Sequence, residues 1–164
     1  MFELLLAAAL SWPAPWYAPG KNPETRVAYE ARVVTIVRAV ADTTEDQELA
    51  LAALLKMYHE SRFRLDVHDG TRLGDAGNAA CLGQLHVSRD LPRADWLGLV
   101  GTRYEPTRRC VGATVRLLAR YRAWCGSWAG AFSAYATGKG CSVVPLGRDR
   151  AERLAIVRGR LSLP

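Results

Sequence analysis

Long apolar runs are missing from this chain. The most apolar stretch near its start, Leu4 to Leu10, matches the core of a signal peptide in length. It is far short of the roughly 20 residues that a bilayer-spanning helix needs. Closely spaced cysteine pairs are missing too. Cys81, Cys110, Cys125 and Cys141 include no Cys-x-x-Cys, and no histidine stands at zinc-finger spacing, so a metal site is not expected. Internal repeats and low-complexity tracts are absent, which excludes solenoid and linker-like architectures. Acidic residues are in the minority: 16 Asp and Glu face 22 Lys and Arg, for a net charge of +6 and an isoelectric point near 9.5. The excess is arginine, scattered from Arg26 to Arg160 rather than massed, and it suits a polyanionic partner such as nucleic acid, an anionic membrane face or an acidic wall. No nucleic-acid-binding motif accompanies it. Arg108, Arg109, Arg116, Arg120 and Arg122 read as the solvated side of an amphipathic helix, so nucleic acid is not expected as a partner.

What is present fits one globular domain. The 164 residues are 49% hydrophobic and 23% charged, enough to bury a full core. Two readings of the N-terminus stay open: an export signal, weakened by Glu3 and the lack of an early basic residue, and a core or membrane-touching helix. From Ser11 to Pro23 the prolines exclude regular structure, and an extended arm carrying Trp12, Trp16 and Tyr17 is expected. Helices are predicted over Glu24–Ala41 and Glu45–Arg62, the first with Val27, Val33, Val34, Val37 and Val40 on its apolar side. The second is opened by a Thr44/Gln47 capping box and buries one face through Leu49, Ala50, Ala53, Leu54, Met57, Tyr58 and Ser61. A glycine- and aspartate-rich loop fills Leu65–Ala80, with a short strand or irregular wall over Leu82–Val87. Further helices follow around Pro92–Leu99, over Pro106–Cys125 and Ser127–Thr137, and, after a turn at Pro145 and Gly147, over Arg148–Arg158. The Pro106–Cys125 helix has its stripe at Val111, Val115, Leu118, Tyr121 and Trp124 or Cys125. Cys110 and Cys125 fall in that one helix, about 22 Å apart, too far to bond. If all four cysteines pair, Cys81–Cys110 with Cys125–Cys141 is favoured over Cys81–Cys125 with Cys110–Cys141; four buried thiols are the alternative.

The chemistry gathers at Tyr58-His59-Glu60-Ser61. Glu60 stands beside the buried face at the C-terminal end of its helix, where the helix dipole disfavours negative charge. Partial burial acts the same way, which is the condition a general acid needs. His59 and His68 lack partners at ligand spacing, and His59 is expected to line a cleft. Asp66, Asp69 and Asp75 are ordinary turn formers that could also supply a second carboxylate.

Glu60-Ser61 at a helix end, Cys81-Leu82-Gly83-Gln84 about two dozen residues on, and Ala134-Tyr135-Ala136-Thr137-Gly138, in that order, resemble the lysozyme-like lytic transglycosylases. The resemblance covers roughly Glu45 to Cys141. It implies a mainly α, lysozyme-like domain over residues 24–164, with a helical core and a small irregular or β region at its cleft. It implies peptidoglycan strands as substrate, no cofactor, a monomer, and Glu60 as acid and base in forming a 1,6-anhydro sugar. Ser61, Gln84 and Tyr135 match the family's substrate-binding positions. The family's Gly-Leu-Met-Gln reads Cys-Leu-Gly-Gln here, which loosens the expected loop geometry. The Asn of its Ala-Tyr-Asn-Ala-Gly is Ala136, so any contact from that Asn is missing or moved. Asp69 or Asp75 opposite Glu60 would make the enzyme a hydrolytic lysozyme instead. A catalytically inactive wall-binding or structural protein is the reading outside enzymes. Trp96, Tyr104, Trp124 and Trp128 lie near the motif blocks, and one or two are expected in a sugar groove. The settings implied are a periplasm or envelope, the extracellular space or a phage particle, with secretion-system or phage components as further partners.

Overall fold

In the computed structural model, residues 1–15, 23–88 and 91–161 are described. Trp16, Tyr17 and Ala18 of the expected arm lie outside them. The described chain is mainly helical, with one small two-stranded sheet. Helices α1 (Phe2–Ser11), α2 (Arg26–Ala41) and α3 (Gln47–Ser61) come first. A short α4 (Leu65–His68), a 3-10 turn (Asp75–Gly77) and the strands β1 (Ala79–Ala80) and β2 (Leu85–His86) make up the middle. Then come α5 (Arg93–Leu97), α6 (Tyr104–Cys125), α7 (Trp128–Thr137) and α8 (Pro145–Arg160). The antiparallel strands pair Ala79 with His86 and Ala80 with Leu85. None of the described helices is long and apolar enough to cross a membrane.

The central element is α3. One buried face is the expectation, but every residue from Ala50 to Tyr58 is buried, because α1, α2, α6 and α8 all pack around it. Small side chains at Ala50, Ala52 and Ala53 let those neighbours approach closely. Within this apolar column lies one charge, Lys56, with no exposed surface. The N-terminal helix α1 belongs to the same core, burying Leu5, Ala8 and Ala9 against α2 and α3. Trp12, just beyond it, packs at a tilt on Tyr58 with ring centroids 4.8 Å apart, and the Tyr58 hydroxyl donates to Pro13 O.

Several local expectations shift. Asp46, not Thr44, caps α3 by accepting from Leu49 N at 2.9 Å, while Thr44 Oγ1 accepts from Asp46 N. An aspartate directly before the first turn reaches its amides better than a threonine two residues further back. Val27 is exposed, and the inner side of α2 instead carries Tyr29, Arg32, Val33, Ile36, Val37 and Val40. The turn expected at Pro145 and Gly147 is the first turn of α8. Proline suits that position because a first-turn N–H has no helical partner anyway. Gly147 is needed there because a Cβ would come within 1.9 Å of Ser133 Oγ and 2.6 Å of Ala129 O on α7. Trp124 is 64% exposed, so α6 is buried through Cys110, Val111, Thr114, Val115 and Leu118.

Both disulfides follow the favoured pairing, Cys81–Cys110 and Cys125–Cys141. The first ties the chain after β1 to α6; the second ties the end of α6 to the segment leaving α7.

Candidate functional site

A cleft of about 790 Å³ runs between the β region and the faces of α6 and α7, with the end of α3 as its floor. Lys56 and Glu60 come from α3. Asp75, Gln84, Leu85 and His86 form one wall, and Arg116, Leu117, Arg120 and Tyr121 of α6 form the other. Tyr135 to Gly138 close one end. Glu60, Gln84 and Tyr135, distant in the chain, therefore meet in one cavity.

Glu60 sits in the last turn of α3 with its side chain 23% exposed. Its surroundings differ from the charge-disfavouring ones the sequence implies. Lys56, one turn earlier, hydrogen-bonds Oε1, and Arg150 Nη1 from α8 approaches the same oxygen to 2.9 Å. The Arg150 contact is an ion pair without hydrogen-bond alignment. Burial pushes Lys56 down to about 8; the Glu60 charge opposes that fall and Arg150 adds to it. The Lys56 ammonium also rests over the Tyr135 ring, 4.1 Å from its centroid.

The chain beyond α3 is held in costly backbone. Arg62, Phe63, Asp75, Ala76, Cys81 and Gln84 all have φ between 47° and 58°, where an L side chain costs about 1–2 kcal/mol each. Specific bonds offset this. Cys81 is anchored by its disulfide, Gln84 N and Nε2 both donate to Cys81 O at 3.0 Å, and Trp96 Nε1 donates to Leu85 O at 2.6 Å. Such concentration of left-handed non-glycine residues is typical of functional loops.

Packing requires glycine at position 83. A Cβ there would lie 2.2 Å from Thr114 Oγ1 and 3.2 Å from the Tyr135 hydroxyl, so no methionine fits. The Tyr135 hydroxyl donates to Gly83 O at 2.8 Å. Burial pushes that phenol far above its usual range, so it stays a neutral donor to the loop while its ring carries Lys56. Gly83→Ala is expected to cost about 1–3 kcal/mol, measured as a lower urea midpoint, with the Tyr135 contact displaced.

The remaining sequence candidates separate. Ser61 is buried; its hydroxyl donates to Met57 O at 2.7 Å and accepts from Phe63 N at 3.1 Å. It ties off α3 and does not line the cleft, since a helix-end hydroxyl finds backbone partners nearest. Asp75 is on the cleft rim, exposed and 3.1 Å from His86 Nε2. Asp69 accepts from Thr71 N and Oγ1 at 2.8 Å and forms a turn away from the cleft. Asp66 pairs with Arg64 at 2.7 Å, which holds its carboxyl below the usual range.

His59 is absent from the lining. It is half-buried among Arg62, Arg150 and Arg153, and burial with those charges pushes it down to about 4. Of the four aromatics, one or two of which are expected in a groove, none lines the cleft. Trp96 is core, Tyr104 donates to Asp42 at 2.5 Å, Trp124 faces solvent and Trp128 packs on Phe132. Tyr121 and Tyr135 take that place. Among the described residues, no three His, Cys, Asp or Glu side chains gather as metal ligands do.

No family model, curated protein or solved structure matches this chain. The sequence reading missed Lys56 and Arg150 as partners of Glu60, and Arg116, Arg120 and His86 as cleft walls. A lone lysine four residues before Glu60 in an apolar run was the available signal for the first. Arg150 lies on another helix and carried none.

Proposed function

We propose that this cleft cleaves the β-1,4 bond between acetamido sugars of peptidoglycan by transglycosylation, on a lysozyme-like helical domain. The observation that carries the reading is the meeting of Glu60, Gln84 and Tyr135 in one cleft, with Glu60 as the carboxylate on its floor. Glu60 gives a proton to the leaving glycosidic oxygen while the C1–O electron pair departs with that oxygen. The muramoyl O6 hydroxyl then attacks C1 and returns its proton to Glu60, leaving a 1,6-anhydro sugar and consuming no water. The Gln84 amide, able to donate and accept, orients the sugar's polar groups. The cationic wall of Arg116 and Arg120 draws an anionic polymer in. Two disulfides support an oxidising setting, such as a periplasm, an envelope or the outside of a cell.

Mass spectrometry of soluble products from purified peptidoglycan tests this directly. Anhydromuropeptides from the wild type are expected, with at least a thousandfold less from Glu60→Gln, since acid and base are lost together. Reducing-end products would make it a hydrolase, with Asp75 the carboxylate that already lines the cleft. No release at any pH or salt would leave a wall-binding or structural protein.

A further inference from the structure

We propose that Lys56 is the proton store of this site: one proton is shared between its Nζ and Oε1 of Glu60, and it moves to Glu60 when the leaving oxygen needs it. The inference rests on the glycan-cleaving reading and supplies what that reading lacks. Glu60 has two cations at one of its oxygens and, among the described residues, no other acid beside it to draw on, yet an acid catalyst has to carry a proton.

The geometry resolves the conflict. Lys56 is fully buried, and its ammonium is enclosed by Glu60, the Tyr135 ring and the neighbourhood of Arg150. Both cations engage Oε1, so neither of these contacts occupies Oε2. Passing the proton from Nζ to Oε1 turns an ion pair into a neutral amine and a neutral acid with no change in net charge. In a site that penalises buried charge, the exchange is cheap. Arg150 contributes a fixed positive charge that repels the ammonium and helps drive the proton off it.

The groups facing Lys56 are Glu60 on its own helix, Arg150 from α8 and Tyr135 from α7. Tyr121 of α6 meets the Tyr135 ring at 6.3 Å. The lowered affinity of Lys56 for its proton agrees with the role.

The step balances. An N–H bond of Lys56 breaks as an O–H bond forms on Glu60. Glu60 then protonates the leaving oxygen as the C1–O bond breaks, and the O6 proton returns to Glu60 and from there to Nζ. The protein ends with the protons it began with. Lys56 acts through Glu60, so it is a positioning residue.

Two variants separate proton supply from charge. Lys56→Met fills the buried site without charge. Lys56→Arg keeps a cation that does not give up its proton. Thermal melts confirm that each is folded. For the wild type, anhydromuropeptide release is expected to fall above pH about 8. Both variants are expected to lose about 100-fold or more at pH 7, and the fall near pH 8 should vanish in Lys56→Met. Wild-type rates in Lys56→Arg, or an unchanged alkaline fall in Lys56→Met, would overturn the proposal.

A readout independent of activity uses 13Cδ-labelled glutamate, with the Glu60 resonance identified by its loss in Glu60→Gln. An inflection of that resonance near pH 8 in the wild type, gone in Lys56→Met, supports the shared proton. Its absence from the wild type overturns it. If the inflection is found and no glycan is released, the shared proton stands and the transglycosylase reading falls.

Discussion

Replacing Arg32 by methionine is expected to remove about 3–5 kcal/mol of stability, a large share of what a domain of this size possesses. Arg32 is buried at the crossing of α2, α4 and α6. Its guanidinium donates to Glu24 at 2.5 and 3.1 Å and to Phe63 O at 2.7 Å, and it reaches His68 Nδ1 at 3.3 Å. Methionine fills much of the volume but leaves a buried carboxylate and a buried carbonyl without this donor. The Phe63 carbonyl follows directly on the left-handed turn that ends α3, so the position of Glu60 should loosen as well. Urea denaturation gives the loss; the Glu60 resonance gives the loosening.

The same network sets the acid limit of the fold. Arginine can only donate, so His68 Nδ1 accepts, and the proton of the neutral ring is on Nε2, donated to Thr107 Oγ1 at 2.8 Å. A second proton would place a buried cation against Arg32. Burial, with the Arg32 charge, pushes His68 down to about 3. The unfolded chain takes up that proton near 6.5, so below this pH it binds more protons than the native state. Stability is then full above about 6.5 and falls as pH drops toward 3, by on the order of 4 kcal/mol from this residue. His59, lowered to about 4, adds a smaller loss over the upper part of that range. Urea midpoints at pH 7, 5 and 4 should fall in sequence, and in Arg32→Met the further fall on acidification should be shallower.

Removing the Cys81–Cys110 disulfide is the second large effect. Double replacement by serine opens a loop with a sequence separation of 29, worth about 3–4 kcal/mol in unfolded-state entropy. The cost is also local. Cys81 holds one end of the strained turn that aims Gln84, and its carbonyl receives both Gln84 bonds. Under the proposed function, binding of short glycan fragments should therefore weaken more than the melting shift alone explains, readable by titration at a temperature where both forms are folded. The Cys125–Cys141 bridge, with a separation of 16, contributes somewhat less. Its cysteines are only half-buried, whereas Cys81 and Cys110 are fully enclosed. Mild reductant should open Cys125–Cys141 first, which mass spectrometry after alkylation detects.

Helix placement follows from local pattern. The recurrence of apolar residues at three- and four-residue spacing marks α2, α3, α6 and α7 to within about two residues, because backbone bonding and a buried stripe are both short-range properties. The cysteine pairing was nearly legible for a related reason: one long helix keeps Cys110 and Cys125 apart. That Glu60, Gln84 and Tyr135 share a cleft was indicated by the resemblance of their motif blocks, not by periodicity.

The electrostatics of that cleft were not legible. Periodicity tells which residues share a side of a helix, not what that side meets. Lys56 and Glu60 look like an ordinary surface pair four residues apart, and only the packing of α1, α2, α6 and α8 around α3 encloses the lysine and partly buries the carboxylate. Arg150 reaches Glu60 because α8 folds back over α3, an arrangement made over some ninety residues of intervening chain. Ser61 is buried as its place on the apolar face implied, and its hydroxyl takes the local partners Met57 O and Phe63 N rather than reaching the cleft. Local sequence decides which segments coil, since each turn bonds to itself; the charge state of the cleft belongs to the tertiary fold, since desolvation depends on every neighbour at once.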